Sequence, residues 1–549
     1  MSSAEKSSSS TIIAMGFGLI SAMSLLYLYQ RRKRTQVFGN IKYTRDRNFS
    51  GCFTPNGSQL GSPVRSSKSA AADDKFQTPN NLTWLSPTSS EHSVNRHHEI
   101  EKPLVIVMMG FPGRGKTYIS RKIARYLRWI EYRTRVFSIA KYRLDKLGNR
   151  TADFFDPSNG ENYRYRIELM ISVLEDACRY LDRGGNVAII DGTHTTRDRR
   201  NLIREEIQTK RGLDILWIES ICEDEAIIER HSDELCESPD YIDRIDFQRR
   251  IQYYMQSYEK LEDSEGSYIK IYDCGRKLDL HLIHGYLCTK IVSFVMNLHT
   301  VPRQVYLVRC GESLFNEQNL IGGNSSLSNR GIKFARALSK YFSRIFSPEG
   351  SNRFSGTDKD KEIVKSDNNI LVWTSPMCRA SETCQILKEG EIYAGQVKIH
   401  EWRTLRDLEV GVCDGYSYDQ VKERFPEEYQ SRVANKLRYR YPRGESYLDI
   451  LNRLEPVIFE IERTTVPLVI VAHQAVLRCL YAYFLDFPHE ELPYLSMPLH
   501  TLLRLEPRAY GVKEKRLKFV LDDESESQEP SSPPAPIKLR HNNYAGIDR

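Results

Sequence analysis

From residue 104 onward the chain alternates short, wholly apolar runs with longer stretches whose apolar positions recur at helical spacing. The run 104–109 (LVIVMM) ends in a glycine and suits a strand buried on both faces. Runs at 186–191 (NVAIID), 215–221 (ILWIESI) and 268–272 (YIKIY) repeat it, with amphipathic stretches at 163–182 and 247–261. Such alternation predicts an open parallel sheet with helices on both faces. The pattern restarts at 304–309 (QVYLVR) and continues through 370–374 and 468–472. Helical stretches at 328–346, 378–387 and 447–464 lie between and around these runs. The expected fold class is therefore α/β, with two three-layer domains at residues 99–300 and 301–510.

The flanks read differently. Residues 12–29 (IIAMGFGLISAMSLLYLY) carry no charge and are followed by Arg31-Arg32-Lys33-Arg34. A secretory signal places its charges before the apolar run, so this order predicts a membrane anchor within residues 1–35. Positive-inside logic then puts the domains that follow in the cytoplasm. The alternative is a bare apolar patch in an unstructured arm. Residues 36–98 are rich in Ser, Asn and Pro and read as a disordered linker, the polar insert at 351–367 as a surface loop, and residues 511–549 as a disordered acidic, Ser- and Pro-rich tail.

Composition narrows the function classes. A formal charge of +7 over 549 residues, with no dominant basic stretch in either domain, argues against a nucleic-acid partner. The 11 cysteines are odd in number and show no zinc spacing, which fits free thiols in a reducing compartment.

Gly110 to Thr117 (GFPGRGKT) matches GxxxxGK[ST] directly after an apolar strand, the context in which that motif cradles phosphate. The expected nucleotide contacts are Gly110, Gly113, Arg114, Gly115, Lys116, Thr117 and Tyr118. Lys116 would neutralise the β- and γ-phosphates of ATP, and the Thr117 hydroxyl would ligate Mg²⁺. Asp191 ends the NVAIID run, where a carboxylate can reach the metal or accept the proton of an attacking hydroxyl; a helix cap is the structural alternative.

Further segments follow in order: Tyr142-Arg143, then Asp191-Gly192-Thr193-His194-Thr195-Thr196-Arg197-Asp198-Arg199-Arg200, then Glu219-Ser220-Ile221-Cys222 and Ser238-Pro239-Asp240-Tyr241. With the phosphate loop, this series resembles the kinase half of the 6-phosphofructo-2-kinase/fructose-2,6-bisphosphatase family. The likeness runs through residues 100–510 and implies a P-loop kinase domain followed by a histidine-phosphatase domain. It also implies transfer of the γ-phosphate of ATP to the 2-hydroxyl of fructose 6-phosphate, giving fructose 2,6-bisphosphate, by a chain that pairs as a homodimer. By the same resemblance Arg143, Arg166, Arg199 and Arg250 surround the sugar phosphate, with Thr193 and Tyr254 beside it. Asp191, Lys116 and Cys222 form the catalytic set, with a buried structural thiol as the alternative for Cys222. One departure stands out. The family carries a lysine shortly before SPDY, where this chain reads Leu235-Cys236-Glu237. Losing one charge-assisted contact would weaken substrate binding by about 1.5–3 kcal/mol.

In the second domain Arg309-Cys310-Gly311-Glu312 occupies the place of the RHGE motif of histidine phosphatases. There a neutral imidazole attacks phosphorus and a carboxylic acid protonates the leaving oxygen. Arg309, Asn316, Gly322, Arg379, His473 and Gln474 match the family's phosphate cradle. Tyr418, Arg432, Lys436, Tyr447 and Arg478 match its sugar-bisphosphate contacts. The nucleophile is replaced by Cys310, and Asp407 stands where the family has a glutamate donor one methylene longer. The expectation is a kinase whose phosphatase activity is lost or very weak. The alternatives are a bifunctional enzyme with a feeble phosphatase, or a sugar-phosphate-sensing pseudoenzyme.

Overall fold

The computed structural model describes residues 102–236, 240–346, 370–389, 397–508 and 511–521. In the first domain the strands are β1 (Leu104–Met109), β2 (Thr134–Ser138), β3 (Val187–Asp191), β4 (Asp214–Ile221), β5 (Tyr268–Tyr272) and β6 (Lys277–His281). Its helices are α1 (Lys116–Trp129), α2 (Ile139–Leu147), α3 (Gly160–Asp182), α4 (Arg197–Arg204), α5 (Glu225–Cys236), α6 (Arg244–Gln256) and α7 (Tyr286–Val295). The second domain has β7 (Val305–Arg309), β8 (Ile370–Thr374), β9 (Val397–Glu401), β10 (Leu468–Ala472), β11 (Thr501–Arg508) and β12 (Gly511–Lys518). Its helices are α8 (Leu314–Glu317), α9 (Asn329–Phe346), α10 (Cys378–Glu389), α11 (Tyr418–Arg424), α12 (Pro426–Ala434), α13 (Tyr447–Arg463) and α14 (Gln474–Leu485).

The first sheet runs β2-β3-β1-β4-β5-β6 and the second β12-β11-β7-β10-β8-β9. Both are mixed, which corrects the expectation of wholly parallel sheets. β6 pairs antiparallel with β5, and β11 pairs antiparallel with both β7 and β12. The chain also stays in the second sheet beyond residue 510. β12 lines up Val512 with Pro507 and Lys518 with Thr501, so residues 511–518 belong to the sheet and not to the tail. The helix expected at 247–261 lies earlier, at Arg244–Gln256, because Asp243 caps it by accepting from the Asp246 amide. Residues 12–29 and the linker lie outside the described residues, as does the insert at 351–367. No helix among the described residues is long and apolar enough to cross a membrane.

Strand alternation explains the three layers. Val105, Val107 and Met109 face α3 and α4, while Leu104, Ile106 and Met108 face α1 and α7. In the second sheet Tyr306 and Val308 face α9 and α10, while Val305 and Leu307 face α13 and α14. The α1/α7 face and the α13/α14 face share one continuous core. At the seam Tyr126 stacks on Phe294 with centroids 4.3 Å apart, and Trp129 meets Tyr483 edge-on at 6.0 Å.

Candidate functional site

The phosphate loop leaves β1 at the point where strand order reverses, the usual place for a ligand crevice in an open α/β sheet. Gly110 has φ +130°, and a Cβ there would lie 2.4 Å from the Ser220 carbonyl oxygen, so no larger residue fits. Its amide donates to the Thr193 carbonyl at 3.0 Å, which ties the loop to the turn after β3. Arg114 gives its carbonyl to the Ser220 hydroxyl, and Gly113 gives its own to His231 Nδ1 at 3.1 Å. Gly115, at φ 79°, leads into the first turn of α1, which aims its amides at the loop.

Lys116 is buried and donates to the Phe111 carbonyl at 2.6 Å. Burial lowers its ammonium pKa to about 8, against the opposing pull of Asp191. The Thr117 hydroxyl donates to Asp191 Oδ2 at 2.8 Å. Asp191 Oδ1 is buried with no protein partner, and burial raises this carboxyl against Lys116 and Thr117. One hydroxyl and one unpartnered carboxylate oxygen beside a phosphate loop form a donor set suited to Mg²⁺, which favours oxygen ligands. Tyr118 ties to the interdomain segment through a 3.0 Å bond to the His299 carbonyl. It packs in a shallow apolar crease with Ile119, Ile271, Cys274 and Leu298. Cys222 is a buried thiol beside Arg114, and its hydrogen bond with Cys274 and its burial raise its pKa.

The four arginines assigned to the sugar phosphate gather around an aromatic floor. Arg143 on α2 pairs with Asp240, and its guanidinium sits 4.9 Å from the Phe155 ring centroid. Arg250 on α6 lies 4.5 Å from the same ring and 4.6 Å from that of Tyr241. It donates to the Arg150 carbonyl at 2.6 Å and the Asp240 carbonyl at 2.8 Å, and forms an ion pair with Asp246 Oδ2 at 2.8 Å. With all of these contacts it is the most internally engaged of the four. Arg166 donates to the Phe155 carbonyl at 3.1 Å. Arg199 is buried beside Tyr254, Arg166 and Tyr163, and burial lowers its pKa. The Nε atoms of all four are buried without a protein acceptor, so each guanidinium keeps unused donor capacity. Phe155, Tyr163 and Asp240 had no assigned role, because only packing shows that the first carries two guanidiniums. Arg200 is fully buried on Glu265 at 2.6 and 2.8 Å and steadies the loop that carries Thr193. The side chains of Leu235 to Glu237 lie outside the described residues.

In the second domain Cys310 follows β7 and its amide donates to the Ala472 carbonyl at 2.9 Å. Its Sγ lies 3.7 Å from His473 Nδ1, which also accepts from Arg379 Nε at 3.2 Å. The proton therefore sits on Nε2 and points to Ser375 Oγ at 2.9 Å. Burial lowers His473 to about 4 and raises the Cys310 thiol, so both are neutral. Asp407 reaches the pocket despite its shorter chain: Oδ2 is 2.9 Å from Arg379 Nη2. Burial alone would raise this carboxyl, but the Arg379 guanidinium and the Leu408 amide hold it below the usual range, so it rests ionised on Arg379.

Arg309 and Arg478 donate to the Met497 and Leu495 carbonyls at 3.3 and 2.7 Å, and Lys436 to that of Pro493 at 3.2 Å. Arg432 bonds the Tyr418 and Tyr441 hydroxyls at 3.0 and 2.7 Å, and Arg478 that of Tyr447 at 2.9 Å. Asn316 is engaged in a capping box with Ser313, and Gln474 opens α14. Gly322 turns the loop at φ +75°, a conformation that favours glycine.

Comparison with known proteins gives two domain matches. Residues 91–302 match the 6-phosphofructo-2-kinase family, and residues 361–519 match branch 1 of the histidine phosphatase superfamily. The chain is 40% identical over 440 residues to the 6-phosphofructo-2-kinase/fructose-2,6-bisphosphatase of Caenorhabditis elegans, covering 77% of this chain and 90% of that one. It is 39% identical over 454 residues to 6-phosphofructo-2-kinase/fructose-2,6-bisphosphatase 1 of Rattus norvegicus, covering 80% and 90%. The Arabidopsis thaliana relative of the same name is 40% identical over 431 residues, or 76% of this chain, which spans 54% of that longer protein. With a phosphate loop facing Asp191 and this likeness through both domains, the chain belongs to the 6-phosphofructo-2-kinase/fructose-2,6-bisphosphatase family.

Proposed function

We propose that the chain is an ATP-dependent 6-phosphofructo-2-kinase whose phosphatase activity is lost. The observation that carries the kinase reading is the Thr117–Asp191 pair, which sets a buried carboxylate with one unpartnered oxygen against the phosphate loop. The loop amides and Lys116 hold the ATP phosphates, and the arginines over Phe155 hold the 6-phosphate of the sugar. Thr117, steadied by Asp191, would hold Mg²⁺, which would supply neutralising charge to the phosphates. As the 2-hydroxyl oxygen bonds to the γ-phosphorus, the bond to the ADP oxygen breaks and the hydroxyl proton passes to the Asp191 carboxylate. Positioning and electrostatics carry nearly all of this chemistry.

Loss of the second activity rests on Cys310 and Asp407. The thiol is neutral and buried, and the carboxylate is ion-paired where a proton donor is needed. Purified protein with ATP, Mg²⁺ and fructose 6-phosphate should make fructose 2,6-bisphosphate that then persists. Lys116→Ala and Asp191→Ala are the controls. Nucleotide binding without sugar phosphorylation would sink the kinase reading. Phosphate release from added fructose 2,6-bisphosphate at an ordinary enzymatic rate would sink the other.

For location, the uncharged run at 12–29 followed by four basic residues supports a membrane tether with both domains on the cytosolic side. Deleting residues 1–35 should move the protein from the membrane fraction to the soluble one. An unchanged distribution ends the idea.

A further inference from the structure

The second domain keeps a cationic pocket that lacks the means of hydrolysis, and two of its helices run from that pocket to the helix that begins at the kinase's phosphate loop. We propose that the Cys310 pocket is an effector site, where a bound, unhydrolysed sugar phosphate ester alters phosphoryl transfer at Asp191 through α13 and α14. The inference rests on the kinase reading above and assigns that activity a regulator.

The pocket carries more positive than negative charge. Arg309, Arg379, Arg432, Lys436 and Arg478 converge there, and among the described residues the one carboxylate bonded to any of them is Asp407, on Arg379. The others rest on neutral acceptors: the Pro493, Leu495 and Met497 carbonyls and the Tyr418, Tyr441 and Tyr447 hydroxyls. Burial, with Arg478 and Arg432 adding, lowers Lys436 to about 8. Clustered cations in a partly buried site favour an incoming phosphate. An ester that enters meets a protonated thiol and a deprotonated Asp407, so it stays intact.

α13 starts in this pocket. Tyr447, its first residue, accepts from Arg478. Arg453, further along it, donates to the Arg406 and Asp407 carbonyls at 2.8 and 3.2 Å and pairs with Glu445 at 3.0 Å. The backbone that carries Asp407 is thus bonded to α13. α14 starts at Gln474, directly after His473.

Both helices end on α1. Glu455 of α13 accepts from the Tyr126 hydroxyl at 2.6 Å and from Lys290 at 2.7 Å. Glu462 accepts from Lys122 at 2.7 Å, Arg303 at 3.0 Å and the Tyr483 hydroxyl at 2.7 Å. Asp486, just past α14, takes both Arg128 Nε at 2.9 Å and Nη2 at 2.5 Å. The side chains of Lys122, Arg303 and Glu462 are 3%, 2% and 0% exposed. Such a dry ionic cluster tolerates little slippage, because any separation leaves a bare charge in apolar surroundings. Displacement of α13 or α14 therefore carries α1 with it, and α1 begins with Lys116 and Thr117.

The test uses the full chain and fructose 2,6-bisphosphate as the probe. ADP release is followed with ATP and fructose 6-phosphate both saturating, so that competition at the kinase site is suppressed. The expected result is a change of at least twofold in kcat as the probe is added. An Arg432→Ala/Lys436→Ala variant, compared with its own basal rate, should lose both probe binding by calorimetry and the kcat effect. Glu462→Gln should keep probe binding and lose the effect. Should that variant fail to fold, Tyr126→Phe removes a single hydroxyl from the same seam and should weaken the response. A probe that binds the pocket without changing kcat overturns the proposal, and so does one that does not bind. If the chain shows no transferase activity, the kinase reading fails instead. ATP affinity with and without the probe then still reads the coupling, and an unchanged affinity overturns it.

Discussion

The Thr117 hydroxyl donates to Asp191 Oδ2 at 2.8 Å, joining the first turn of α1 to the end of β3 across the mouth of the phosphate loop. This bond fixes one carboxylate oxygen and leaves the other for metal or substrate. Asp191→Asn keeps the shape and removes the charge. It should lower kcat for fructose 2,6-bisphosphate formation by about 10²–10⁴ with ATP binding retained. Steady-state kinetics beside a nucleotide titration checks this, and a mutant within tenfold of the parent refutes the assigned role.

Lys116 sets a pH dependence. Nucleotide phosphates need its charged form, and burial lowers its pKa in the empty site to about 8. The charged fraction therefore falls as pH rises through 8. ATP affinity should weaken by up to about tenfold between pH 7 and 9, since one pH unit beyond a pKa corresponds to about 1.4 kcal/mol. Lys116→Arg keeps its charge over this range and should flatten the profile. Calorimetric titration at both pH values reads the difference.

Phe155 lies under both Arg143 and Arg250. Phe155→Leu keeps apolar bulk and removes the ring. With the two cation–π contacts together worth about 1–2 kcal/mol, the KM for fructose 6-phosphate should rise about fivefold to thirtyfold. The KM for ATP should hold, and a parallel rise in both would point to general misfolding.

Cys310 sits 3.7 Å from His473 Nδ1, where an imidazole nucleophile would stand. Cys310→His should yield measurable phosphate release from fructose 2,6-bisphosphate. Adding Asp407→Glu should raise the rate further, because the longer chain can reach past Arg379. Chromatographic loss of the bisphosphate is the readout, and an inert double variant contradicts the account.

Glu462 neutralises Lys122 and Arg303 in a dry seam. Glu462→Gln leaves two buried cations without a counter-charge and should cost about 3–5 kcal/mol in chemical denaturation. A loss below about 1 kcal/mol would show that the cluster is not what fastens the seam.

Central strands were legible because burial on both faces makes them continuous apolar runs, as in Val105 to Met109. Edge strands were not. β6 (KLDLH) and β9 (VKIHE) are polar at alternate or outward positions, and β12 (GVKEKRLK) reads as charged tail until its pairing with β11 is seen. The phosphate loop and Asp191 announce themselves by spacing along the chain. Phe155 and Asp240 do not, because their roles arise from two helices meeting in space. Lys122 and Glu462 lie 340 positions apart, and no local pattern links them.

The shared core behind α1 limits how the gene can be cut. A fragment ending near residue 300 would show water a greasy flank that includes Tyr126 and Trp129, together with an orphaned ammonium at Lys122. Such a piece would stick to its neighbours before it could turn over. The second domain thus completes the core of the first, whatever chemistry its own pocket performs.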